Sequence, residues 1–259
     1  MDDSTNILKD YCDKLLVVTH QIGEITINNE DNYGFMLRAY LDKQMDHMDS
    51  LIKLFPKNDM QLISRSMIEG YCFVKWAGMD DERSLKWRTF IYVHNYRTLK
   101  HQEQKGITVN PKLKKDTDEK LQQYAHLFKK KKVKEGQDPY YKSWKCTTTI
   151  TAIANEVKAN ILYDSIYSSF SDWQHWGPAS MSTMIDKFSD GYGYNPEHGS
   201  KLAKTSFAVG FQCLYQVISM LCEHFADQLK NINVNLTQLF NEYKDYNEAH
   251  IINNSRTRS

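Results

Sequence analysis

YDSIYSSFSDWQHWGP, residues 163–178, and SRSMIEGYCFVKW, residues 64–76, decide how the rest of the chain is read. The first begins as an amphipathic helix and stops at Gly177-Pro178. Before that stop it gathers Ser171, Asp172, His175, Trp173 and Trp176. Residues three and four apart on a helix are neighbours, so Asp172 and Ser171 both lie beside His175. In the second stretch, positions 65, 69, 72 and 76 fall along one ridge. Arg65 and Glu69 therefore continue the stripe of Cys72 and Trp76. Charges on an apolar stripe are partly buried and must be paired, because an isolated buried ion is costly. The two helices are expected to pack together around one polar site.

Working outward, the chain has the resources for a helical bundle and few for anything else. Its 259 residues are 41% hydrophobic, with 11 Gly and 5 Pro. Such scarcity of turn-formers argues against many short strands and for long helices. The expectation is an all-α, single-domain bundle of about seven to nine helices, with a core at about 6–100 and 144–250 and a Lys-rich insertion at about 101–143. Helices are expected over about 6–22, 33–55, 60–77, 80–104, 201–230 and 236–247, with a helix entry over 147–159. Pro56 stops the second, Asn58 or Asp59 caps the third, and Asp80-Asp81-Glu82 suits the positive end of the fourth. Residues 189–200 form a loop long enough to cover a site, and 253–259 a frayed polar tail. No linker or internal repeat divides the chain.

Net charge is +1, so any attraction to nucleic acid must be local. Between 100 and 145, thirteen Lys stand against six Asp and Glu, a local excess of +7. This segment contains Lys129, Lys130, Lys131, Lys132 and Lys134. We read 111–134 as a projecting helix or mobile insertion, either solvated or facing RNA phosphates. The five cysteines are scattered and odd in number, which suits reduced thiols in a cytoplasmic protein. The start MDDSTN is no secretory signal. The apolar run 206–222 carries Gln212 and Gln216 and reads as a core helix, not a membrane span.

Several kinds of chemistry lack their motifs. Phosphate-binding, dinucleotide, zinc-protease and serine-hydrolase signatures are absent from the sequence. Asp42, Asp46, His47 and Asp49 read as an acidic helix surface, and no metal or cofactor is expected. In the polar site, Arg65 can present its planar guanidinium to an anion with Glu69 orienting it, or the two can simply fix helix packing. Asp172 can orient His175 as a carboxylate orients a general base. Tyr163 and Tyr167 can turn hydroxyls into the same space or pack in the core.

Arg65-Ser66-Met67-Ile68-Glu69 resembles the R-S-x-x-E helix of a largely bacterial family, domain of unknown function 5677. Tyr163, Tyr167, Ser171 and His175 resemble its second signature, Y-x-x-x-Y-x-x-x-S-x-x-x-H before a Gly or Pro turn. The resemblance covers roughly 36–225 and implies an all-α protein, with no agreed activity. A more distant similarity is to the HEPN superfamily of helical RNA-binding and RNA-cleaving domains, frequent in toxin and phage-defence systems. Catalytic HEPN domains carry R-x4-6-H on one helix. Here Phe170, Ser169 and Ser168 occupy the arginine positions, so an arginine would have to come from Arg65.

Two functions follow as expectations. One is an RNA-directed effector, a metal-independent endoribonuclease in which Arg65, Glu69, Asp172 and His175 act on RNA tracked by the lysine patch. The other is a non-catalytic module that binds a partner protein encoded nearby or a small anionic ligand, with the polar cluster structural. Homo-oligomers suit both, and a membrane role suits neither.

Overall fold

The computed structural model describes residues 3–256 apart from 176, 183, 196 and 197. It is an all-α bundle with one small hairpin. The elements run α1 (Asp3–His20), α2 (Asn32–Leu54), α3 (Met60–Ala77), α4 (Asp81–Gln104) and α5 (Pro111–Tyr124), followed by a 3-10 turn (Ala125–Leu127). Then come α6 (Ile150–Glu156), α7 (Asn160–Leu162), a π-helical turn (Tyr163–Tyr167), α8 (Ser168–Gln174) and α9 (Pro178–Ser182). The antiparallel hairpin β1 (Ile185–Phe188) and β2 (Gly191–Tyr194) leads to α10 (His198–His224) and α11 (Lys230–Arg256).

Core formation centres on α10, which packs on α1, α2 and α3. Phe207, Phe211, Leu214, Val217, Ile218 and Leu221 are fully buried, so this helix is apolar nearly all round. Its segment Leu202–His224 is the one helix among the described residues long and apolar enough to cross a membrane, and most of it is buried inside the protein. Tyr11 of α1 and Tyr243 of α11 close the far side, with Phe211 stacked on Tyr243 at 4.0 Å between centroids.

Local chemistry sets most boundaries. Asp31 accepts from the Gly34 amide at 2.7 Å, and Asp80 accepts from Glu82 at 2.9 Å. Each satisfies an amide that the first helical turn leaves without a carbonyl partner. Phe55 is extended before Pro56, where the proline ring disfavours helical backbone, and α2 ends there. The expected cap on α3 is not made. Asp59 has helical φ and ψ and its side chain makes no cap hydrogen bond, and Asn58 Oδ1 has no partner among the described residues.

Three further expectations change. The loop at 189–200 is largely β2 and the opening turn of α10, with Gly191 at φ 144° completing the hairpin turn. Its partner strand is exposed along its length, so no period-two burial pattern marks it. The helix read over 201–230 breaks after His224, where Gln228 turns out to pair with both backbone groups of Thr26. The last helix begins earlier and runs longer, because Ile232, Leu236, Leu239 and Tyr243 extend its buried stripe.

The Lys-rich segment docks on α4. Phe128, Leu121 and Tyr140 form a second small core with Val93. Arg97 clamps the segment through Asp138 at 2.7 Å and the Tyr141 carbonyl at 2.7 Å. That contact and its backbone partners hold the Asp138 carboxyl below its ordinary range against the opposing effect of burial.

Candidate functional site

Arg65 and Glu69 sit on α3 one turn apart, joined at 3.1 Å between Nη2 and Oε1, with side chains 18% and 30% exposed. Tyr167 completes the group. Its hydroxyl accepts from Arg65 Nη2 at 2.7 Å and donates to Glu69 Oε1 at 2.6 Å. The Arg65 guanidinium carbon also lies 4.7 Å from the Tyr167 ring centroid, a cation–π contact. Burial, then the adjacent Glu69 carboxylate, pushes the phenol up to about 12. Three side chains from positions about a hundred residues apart thus form a closed triangle.

Tyr167 reaches α3 from the π-helical turn Tyr163–Tyr167, where the Ser168 amide donates to the Tyr163 carbonyl. Such turns insert a residue and shift the phase of the face that follows. Tyr163 stacks on Tyr167 at 4.7 Å and 18°, and its hydroxyl shares a 2.7 Å hydrogen bond with Thr151 of α6. Tyr167, Phe170 and Trp173 are the buried stripe of this segment.

The rest of the late motif lies elsewhere. His175 caps the C-terminus of α8, its amide donating to the Ser171 carbonyl at 3.2 Å. Its imidazole is exposed and makes no hydrogen bond or ion pair among the described residues. Eight residues at 1.5 Å rise put it about 12 Å along the helix from Tyr167. Ser171 is half-buried. Asp172 packs its carboxylate against Gly177, where a Cβ would lie 1.7 Å from Oδ1. That close approach requires glycine. Trp176 lies outside the described residues. The structure therefore brings Arg65, Glu69, Tyr167 and Tyr163 together and leaves His175 apart from them.

A second tie holds the other end of α3. Glu156 of α6 accepts from Trp76 Nε1 and from Arg83 Nη2, both at 2.7 Å. These partners draw the Glu156 carboxyl below its usual range. Trp76 meets 156 and Arg65 meets 167, so the chain from α6 to α8 runs antiparallel to α3. Neither tie has a local sequence signal, since the partners are far apart along the chain.

Lys129, Lys131, Lys132 and Lys134 are exposed, and Lys130 donates to the Asp138 carbonyl at 2.8 Å. Of the acidic run on α2, Asp42 pairs with Arg38 and Asp49 with Lys53. Among the described residues no group of three His, Cys, Asp or Glu side chains is placed to hold a metal ion.

Glu69 also lines a cleft of about 360 Å³ between α2, α3 and α4. Tyr40, Phe73 and Trp87 form aromatic walls, and Lys43, Gln44, His47 and Ser66 supply polar groups. Lys145 sits 4.1 Å above the Phe73 ring, and its ammonium is shifted down by burial despite the pull of Glu69. His47 is shifted down by burial and by Lys43, which favours a neutral imidazole. Sequence reading missed this cleft.

A family model described as a family of unknown function, DUF5677, matches residues 43–192, more than half of the chain. The chain belongs to that family. The match contains both motifs and stops short of the central helix α10. No curated protein and no solved structure matches the chain.

Proposed function

We propose that this DUF5677 member is a non-catalytic helical module that binds a small anionic ligand, and that its two family motifs serve as a structural clamp. The observation that carries this reading is the triangle of Arg65, Glu69 and Tyr167. Arg65 Nη2 donates to Tyr167 and contacts Glu69, and the guanidinium faces the Tyr167 ring. A catalytic arginine must meet developing charge on a substrate. This one meets a carboxylate and a phenol of its own chain. Lys43 and Lys145 near Glu69 favour an anion over a cation in the adjoining cleft. Arg65→Ala is expected to lower Tm by roughly 3–6 °C, since it strands a half-buried carboxylate. An unchanged Tm would refute the clamp.

A second reading, an RNA-directed HEPN-like effector of a bacterial defence or toxin system, draws support from the exposed His175 imidazole and the exposed lysines. In it His175 exchanges a proton with the ribose 2′-hydroxyl, as a metal-independent endoribonuclease requires. Cleavage in EDTA that is lost in His175→Ala would establish this reading and overturn the first. Equal cutting by parent and variant would remove it.

A further inference from the structure

We propose that the cleft between α2, α3 and α4 takes a nucleotide unit, base inward and phosphate at the mouth. This rests on the binding-module reading and names the ligand class. The central observation is Gln44. It is 2% exposed, and its Nε2 donates to the Met67 carbonyl at 2.9 Å. That bond fixes the amide orientation, because a flipped amide would set two acceptors against each other. Its Oε1 is buried with no hydrogen-bond partner among the described residues. A buried acceptor without a donor is costly. Gln44 lines the cleft, so a small shift of its side chain would offer this oxygen to a ligand N–H. Gly70 makes this position possible, since a Cβ there would stand 2.6 Å from Gln44 Nε2.

The surrounding groups narrow the donor's chemistry. Tyr40 and Trp87 pack against each other, with ring centroids 5.6 Å apart and planes tilted by 59°, and Phe73 lines the same space. Together they offer an aromatic surface on which one face of a flat ring can lie. Gln44 and Glu69 are acceptors, so the ring must carry N–H groups. A simple aromatic amine cation fits poorly, because Lys43, Arg65 and Lys145 outnumber the Glu69 carboxylate around it. Lys43 is exposed among the lining residues, where it can meet a phosphate. A flat ring bearing an amino group with an anion at its far end describes an amino-substituted nucleobase with its phosphate. The cleft volume lies within the range of small-molecule sites.

The test is calorimetric titration of the full chain with AMP, CMP and GMP, then with purine riboside 5′-monophosphate and adenosine. Purine riboside monophosphate lacks the exocyclic amine and should bind about tenfold more weakly than AMP, one hydrogen bond to a buried acceptor. Gln44→Leu should abolish that difference. Lys43→Ala, an exposed change that leaves the fold intact, should abolish the difference between AMP and adenosine. A single-stranded adenine oligonucleotide as competitor assigns the source: displacement of AMP means that the cleft takes a strand terminus, and no displacement a free nucleotide. Equal binding of AMP and its deamino analogue, or no binding of any nucleotide by a chain that melts normally, overturns the assignment. The latter result, with Arg65→Ala still lowering Tm, leaves the clamp standing. RNA cleavage dependent on His175 would instead sink the non-catalytic reading and not the cleft.

Discussion

Tyr167→Phe removes one oxygen atom and leaves the ring. That oxygen accepts from Arg65 at 2.7 Å and donates to Glu69 at 2.6 Å. Hydrogen bonds to charged groups contribute roughly 1.5–3 kcal/mol each when fully buried. Here the charged partners retain 18% and 30% exposure, so water replaces part of what is lost. The direct Arg65–Glu69 contact also survives, as do the cation–π contact and the stack on Tyr163. The net loss should be about 1–2 kcal/mol. At roughly 2–4 °C per kcal/mol for a chain of this size, Tm falls by about 2–8 °C in a reversible thermal melt. Combining Tyr167→Phe with Arg65→Ala gives the sharper test. If the three groups act as a unit, the double variant loses about 1 kcal/mol less than the sum of the singles. Strict additivity, or a Tm for Tyr167→Phe equal to that of the parent, would refute the triangle as an energetic unit.

Two further outcomes follow from the same geometry. The Tyr167 phenol is raised to about 12 by burial and by Glu69, against about 10 in an unfolded chain. A raised pKa means that the protonated form is favoured by folding, so its contribution is complete below about pH 10 and is lost as pH rises through about 12. The stability gap between parent and Tyr167→Phe in urea titrations should therefore stay level up to about pH 9 and narrow above about pH 10; a gap that holds constant beyond about pH 11 contradicts the assignment. Gly177→Ala forces the Asp172 carboxylate to move, at a cost of about 1 kcal/mol. In an Asp172→Ala background the same change should cost nothing, and an equal cost in both backgrounds would show that the carboxylate is not the obstacle.

The bundle was legible because its long helices carry buried stripes and chemical stops. The Arg65–Glu69 pair was legible too, since charges continuing the Cys72 and Trp76 ridge have to be paired, and they are. What joins the pair across space was only half visible. The sequence leaves Tyr167 either lining the site or packed in the core, and spacing alone groups it with Ser171 and His175 on a regular helix. The π turn ends that regularity, and the buried face continues through Phe170 and Trp173 while His175 stands exposed at the helix end. A phase shift of this kind leaves no mark in residue spacing. The cleft was illegible for a different reason. Gln44 falls on the stripe of Leu37, Leu41, Met48 and Leu51 and is buried with it, but nothing in the sequence tells that its amide meets the Met67 carbonyl beside Gly70.

The clamp and the cleft share one residue, and this decides how they act on each other. Ser66, Glu69, Gly70 and Phe73 line the cleft from α3, while Arg65 and Glu69 face Tyr167. Glu69 belongs to both rows of the helix, because positions three and four apart lie on adjoining ridges. Its Oε1 is held twice over by the triangle, which restricts the side chain to one direction. The cleft thus borders a carboxylate whose orientation is set from behind and whose charge is largely offset by Arg65. Without that arginine, the carboxylate would keep only its bond from Tyr167 and, no longer offset, would repel an anionic ligand at short range. On this account the arginine of the early motif never touches the ligand, and it keeps the cleft receptive to an anion by holding and neutralising the one acid that lines it.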